Sequence, residues 1–142
     1  MPERELKIKL FKNWTRVTDM AGPPAFKRTG LPNAGVLQFS HAEFKGGELA
    51  EPGEEKLLEV CRSLASKIKN VTHSSTQSGT CDFGKFGTLV VRAASPAYFQ
   101  VWVLSDSRDF ILVTHTCAQQ PDPVEIFEAH EIATMTKLTD RA

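Results

Sequence analysis

An excess of charge of either sign is the first thing this sequence lacks: 17 basic residues are balanced by 17 acidic ones among 142. A balanced chain has no electrostatic footprint for a nucleic-acid backbone or an anionic membrane surface, so neither is expected as a partner. Cysteine is scarce, with 3 at irregular spacing. That excludes a disulfide framework and predicts three free thiols in a reducing cytoplasm. No apolar run approaches the roughly 20 residues of a membrane-spanning helix. The opening MPERELKIKLFKN is charged, with no apolar h-region and no small-residue cleavage site, so it does not read as an export signal. Repeats and low-complexity segments are also missing. What remains is a chain of ordinary composition, long enough for one domain over 1–142 whose core needs no crosslinks.

The informative stretch is Thr88 to Thr116. It contains LVVRAA, YFQVWVLS and DFILVTHT, separated by turn formers at Ser95–Ala97 and Asp106–Arg108. β-branched and aromatic residues dominate each run, which predicts three consecutive antiparallel strands. An even-length connection between the last two puts Phe99, Val101 and Val103 on one face with Phe110, Leu112 and Thr114. That face is core. The other carries Tyr98, Gln100, Trp102 and Leu104 beside Ile111, Val113 and His115, a mixed set that is still too apolar to face water. A sheet covered on both sides follows.

The flanking segments supply the cover. Leu6–Phe11 alternates and predicts a half-buried first strand, with Trp14 at a turn behind it. Residues 19–33 read as loop around Pro23, Pro24, Gly30 and Pro32, with a short extended piece at Ala25–Lys27. Gly35–Ser40 predicts a second strand, and Gly46-Gly47 a stop. A helix is predicted over 51–69, from its Pro and Glu start and the recurrence of Leu57, Cys61, Leu64 and Ile68. Residues 71–87 read as a polar connection, strand-like to Ser75 and mobile around Gln77–Thr80. A last helix over 122–138 starts at Asp122 with Glu125 three residues on, a capping-box pattern, and buries Ile126, Ala129 and Ala133. The order gives an α+β fold: a mostly antiparallel sheet with two main helices packed on it, an α/β/α-type sandwich.

The opening LKIKLF with Asn13-Trp14, then FQVWVLSDSRDFILVTHTC and DPVEIFEAHEIATM, resembles the superfamily of the photosystem protein PsbP and the bacterial DcrB-like lipoproteins. The resemblance implies an antiparallel sheet between helices and a non-catalytic accessory, chaperone or adaptor role. It carries over no functional residue, and without a signal or lipobox it implies no envelope or photosynthetic role.

Chemistry-bearing constellations are sparse. His115 and Cys117, two apart on a strand, share a face and with His73 and Cys81 offer four zinc-ligand types, but no strong zinc spacing is present. Cys81 as a nucleophile is disfavoured by adjacent Asp82. The segment Gly79–Thr88 has Phe86 where a phosphate loop requires a hydroxyl after its lysine. Glu125, Glu128, His130 and Glu131 read as a solvated helix face. No catalytic residue, metal or cofactor is therefore expected. The aromatics Trp14, Phe26, Phe83 and Phe86 are expected to border a partner-binding groove at a sheet edge. The leading expectation is a cytoplasmic partner-binding accessory, chaperone-like or immunity-type protein whose partner is another protein. The alternative is a small enzyme or ligand- or metal-binding protein using the 71–87 loop and His115.

Overall fold

The structure, a computed structural model, describes residues 4–18, 22–43 and 53–140. The expected stop at Gly46-Gly47 and the helix start at Glu51-Pro52 lie outside these residues, and of residues 139–142, which read from sequence as a frayed end, Thr139 and Asp140 instead pair with β1. The strands are β1 (Arg4–Lys7), β2 (Trp14–Arg16), β3 (Ala25–Arg28), β4 (Val36–Glu43), β5 (His73–Thr80), β6 (Lys85–Arg92), β7 (Tyr98–Ser105), β8 (Asp109–Cys117) and β9 (Lys137–Asp140). Two helices, α1 (Glu54–Ala65) and α2 (Pro123–Met135), complete the α+β architecture. Seven strands form an antiparallel sheet in the order β2-β3-β4-β8-β7-β6-β5, and β1 pairs with β9 in a separate ribbon. Among the described residues no helix is long and apolar enough to cross a membrane.

The meander is as its pattern predicts. Ser105 pairs with Phe110, so Val103 stands opposite Leu112 and Val101 opposite Thr114 on a common face. α1 covers part of that face, packing Leu57, Cys61 and Ala65 against Leu89, Val91, Val101 and Val103. The mixed face is the better buried of the two. Tyr98, Gln100, Trp102, Leu104, Ile111, Val113 and His115 are all at most 5% exposed there, beneath α2 and its neighbours.

Several boundaries move for local reasons. α1 ends at Ala65 rather than at 69, because the Ser66 hydroxyl donates to Ser63 O (2.7 Å) and Asn70 takes a left-handed φ of 58°. The buried stripe is accordingly Leu57, Cys61 and Ala65, while Leu64 is exposed. α2 stops at Met135: Thr136 turns extended, donates its hydroxyl to Ile132 O (2.7 Å), and sends Leu138 back into the core on β9. Ile126, expected on the inner stripe, is only partly buried, its place taken by Glu125 and Ile132, and Phe127 is exposed. β1 covers only Arg4–Lys7, and Trp14 opens β2 rather than sitting at a turn. Gln77–Thr80 is regular strand, paired residue by residue with Lys85–Thr88.

The ribbon β1–β9 is fastened at the β7–β8 turn, where the Arg4 guanidinium pairs with Asp106 (2.9 Å) and Asp109 and lies over the Phe83 ring. Gly87 sets how closely α1 approaches the sheet. A Cβ there would stand 3.0 Å from Leu57 Cβ and 3.1 Å from Leu58 N, and the Cys61 thiol already reaches Gly87 O at 3.3 Å. Gly87→Ala should therefore lift the helix, costing about 1–3 kcal/mol by overpacking. A urea midpoint unchanged from wild type would contradict this packing.

Candidate functional site

β8 alternates its side chains, so His115 and Cys117 both face α2. A short connection then reaches Asp122, whose carboxylate accepts from Val124 N (2.8 Å) and caps α2. From that start, Glu125, Ala129, Ile132 and Ala133 fall on one buried helical stripe. Glu125 therefore points into the protein instead of back to the cap. His115 Nε2 lies 2.6 Å from Glu125 Oε2, the Gly35 backbone N–H donates to the same oxygen at 2.9 Å, and the Cys117 thiol stands 3.8 Å from it. Cys117 Sγ is 3.4 Å from His115 Nε2. All three side chains are fully buried. Glu125 Oε1 and His115 Nδ1 are buried without a hydrogen-bond partner.

The surroundings keep the buried thiols and the nearby phenol protonated. Burial first, and then the neighbouring Glu125, push the Cys117 thiol up to about 12. Burial likewise holds Cys61 at about 12 and raises Cys81. None of the three is a thiolate at neutral pH, so none is poised as a nucleophile. Tyr98, edge-on to the His115 ring at 5.7 Å, is raised to about 12 by burial and stays a phenol. Its hydroxyl donates to Gln100 Oε1 (2.8 Å), Gln100 Nε2 donates to the Thr88 hydroxyl (3.0 Å), and that hydroxyl donates to Val101 O (2.8 Å).

The rest of α2 departs from the solvated face expected of it. Glu128 accepts from Trp14 Nε1 (2.9 Å) and Arg28 Nε (3.0 Å), joining the helix to β2 and β3. Burial alone would raise the Glu128 carboxyl, but Arg28 and Trp14 outweigh it and hold the group below its usual range. His130 is lowered by burial, so its neutral ring accepts from Trp102 Nε1 through Nδ1 (3.1 Å).

The zinc-type quartet does not assemble. His73 starts β5 and Cys81 follows the far end of that strand, while His115 lies on β8 with two strands between. Glu125, which the sequence reading set aside, is the residue that joins His115 and Cys117. Its signal was the 125-129-132 spacing, overshadowed by the capping-box pattern. The structure does bring Trp14, Phe26, Phe83 and Phe86 to one face of the sheet, but as core. They are 5%, 7%, 7% and 5% exposed and belong to the cluster under α2. Phe26 stacks edge-on to Phe39 and Phe86 to His130. The expected aromatic groove is therefore corrected to a closed core; Phe83 also lines a surface cavity, beside Lys85 and Asp106.

Solved structures share this fold. LpqN of Mycobacterium tuberculosis, described as involved in cell envelope biogenesis, superposes with a TM-score of 0.69 at 10% identity, over 97% of this chain and 85% of that one. Cyanobacterial PsbP (CyanoP) from Synechocystis sp. PCC 6803 superposes with a TM-score of 0.58 at 10% identity, over 98% and 94%. The fold is PsbP-like. No protein-family model matches the sequence, and no curated protein does.

In this PsbP-like frame the aromatics should act through stability. Phe86→Ala is expected to cost about 3–5 kcal/mol, as much as a truncation at Val101 or more; a melting temperature within a degree of wild type would contradict its place in the core. Glu128 gives a pH-dependent test. Its folded carboxyl is held low, so its stabilisation is complete above the ordinary glutamate range and is lost as pH falls through the lowered value. Glu128→Gln should therefore melt below wild type at neutral pH, with the two curves converging in acid. A gap that is constant down the whole pH series would refute the Arg28–Glu128 assignment.

Proposed function

We propose that this protein is a non-catalytic accessory protein, adaptor or chaperone-like, that binds an extended segment of another protein along β5. The observation that carries this reading is the edge itself. β5 is the outer strand of the seven-stranded sheet and is eight residues long, HSSTQSGT, with no Lys, Arg, Asp, Glu or Pro. Proteins ordinarily blunt such an edge with charge, proline or brevity, because its unpaired backbone groups invite another strand. The opposite edge follows that rule: β2 has three residues, one of them Arg16. Strand addition uses the backbone for affinity and neighbouring pockets for specificity. Such a pocket lies alongside, a cavity of about 460 Å³ between the end of α1 and β5, lined by Ile68, Val71, Ser74, Thr76, Leu89 and Val91 among others.

The chemistry of the chain favours binding over catalysis. Its one convergent cluster of His, Cys and Glu among the described residues is fully buried. The enzyme alternative required residues 71–87 to work with His115, but those residues contribute the β5–β6 hairpin, two strands away from β8. Three free thiols support a reducing compartment, and we place the protein in the cytoplasm.

A photocrosslinking residue at Thr76 in the native host is expected to capture one recurring protein, and the same residue at Glu59, on the exposed side of α1, is not. Ser74→Lys with Thr76→Lys should weaken that partner about tenfold, or ~1.4 kcal/mol, while leaving the melting temperature almost unchanged because both positions are exposed. Equal capture from both positions, or full binding by the double variant, would remove β5 as the interface.

A further inference from the structure

We propose that His115, Cys117 and Glu125 form a binding site for one zinc-like divalent cation at the joint between α2 and the sheet. The inference is independent of the β5 reading. It rests on the convergence of three atoms, His115 Nε2, Cys117 Sγ and Glu125 Oε2, within 4.8 Å of one another and out of contact with solvent. Imidazole, thiolate and carboxylate are the three donor classes that zinc takes, at bond lengths of about 2.0–2.3 Å. Tetrahedral geometry at those lengths puts ligand atoms roughly 3.3–3.8 Å apart. The two sulfur distances, 3.4 Å to nitrogen and 3.8 Å to oxygen, already lie in that range. Only the nitrogen–oxygen pair, at 2.6 Å, has to open, and by less than an ångström.

A second observation points to a ligand. Native cores leave few buried polar atoms without a partner. Here three potential donors, the Gly35 amide, the His115 ring and the Cys117 thiol, crowd Glu125 Oε2, while Oε1 of the same carboxylate has none. A cation among the three side chains relieves that imbalance, because the carboxylate can then engage it through both oxygens as one bidentate ligand, with the Gly35 N–H holding Oε2 in place from outside. Binding displaces the Cys117 thiol proton, so it is linked to pH. Access is from the Gly35 side. A Cβ at Gly35 would fall 2.3 Å from Cys117 Sγ, and Gly35 also lines a surface cavity with Pro96, Thr116 and Ala118.

The test uses the full chain, reduced, with zinc or cobalt(II) added both to the native protein and during refolding. One ion per chain is expected, with a near-ultraviolet thiolate-to-cobalt charge-transfer band that zinc abolishes. Cys117→Ser should lose the band and weaken zinc by about tenfold or more, whereas Cys81→Ser keeps both. Absence of stoichiometric binding, or a band that survives in Cys117→Ser or disappears in Cys81→Ser, overturns the site. Should Cys117→Ser not fold, X-ray absorption on zinc-loaded wild type decides. One sulfur with nitrogen and oxygen neighbours supports the assignment, and a shell with no sulfur or with two overturns it.

Discussion

The burial of the Glu125 carboxylate is the constraint on which the placement of α2 depends. A carboxyl group withdrawn from water is costly unless hydrogen bonds replace its hydration. Here the replacements come from the sheet: a backbone amide just before β4 and the His115 ring of β8, with Cys117 close by. One oxygen thereby ties the helix to the two strands at the middle of the sheet order. Three residues on, Glu128 meets Trp14 and Arg28 at the β2–β3 end, and His130 accepts from Trp102 of β7. Each bond contributes only about 1 kcal/mol net, but a partner left buried and unpaired costs about 1–3 kcal/mol. Positions of α2 that break these contacts are therefore disfavoured more strongly than the bonds themselves stabilise.

The two faces of the sheet are held by different means. On the α1 side, apolar side chains meet apolar side chains, and the fit is set by the missing side chain at Gly87. That attraction is non-directional and grows with the area buried. On the α2 side the core is larger and is threaded with polar contacts, from the Tyr98–Gln100–Thr88 chain to the Arg4 pairs that fasten the ribbon. Directional contacts suit a face that must seat three things at once: a helix, a ribbon and the aromatic side chains of β2 and β3.

These differences explain what the sequence discloses. The meander was legible down to which residues share each face, because alternation over long strands and an even-length connection put them there. Both helices were legible in type and not in extent, since Ser66 and Thr136 end them through side-chain bonds that no periodicity announces. β2 and β9 were missed, being short strands whose existence depends on partners distant in sequence, β3 and β1. The candidate site was half legible. His115 and Cys117 were paired by their spacing, but Glu125 carried two patterns at once, a capping box and an inward stripe. The structure chose the stripe, because His115 and the Gly35 amide offered the carboxylate a partner inside. Trp14, Phe26, Phe83 and Phe86 looked like surface aromatics because their segments are short or glycine-rich. The helix and ribbon that cover them come from the two ends of the chain, a non-local fact.

The same geometry keeps the buried cluster and the open edge apart. His115 and Cys117 lie on β8, and β5 is three strand spacings away, about 14 Å. The intervening β6 and β7 are continuous eight-residue strands, paired along their whole length on both sides. A strand added to β5 extends this array without touching α2, and a cation between β8 and α2 tightens the helix joint without reaching β5. The division also fits where the polar residues stand: Ser and Thr line the edge, where water or another backbone can satisfy them, while Glu, His and Cys are enclosed where only one another, the Gly35 amide or an ion can.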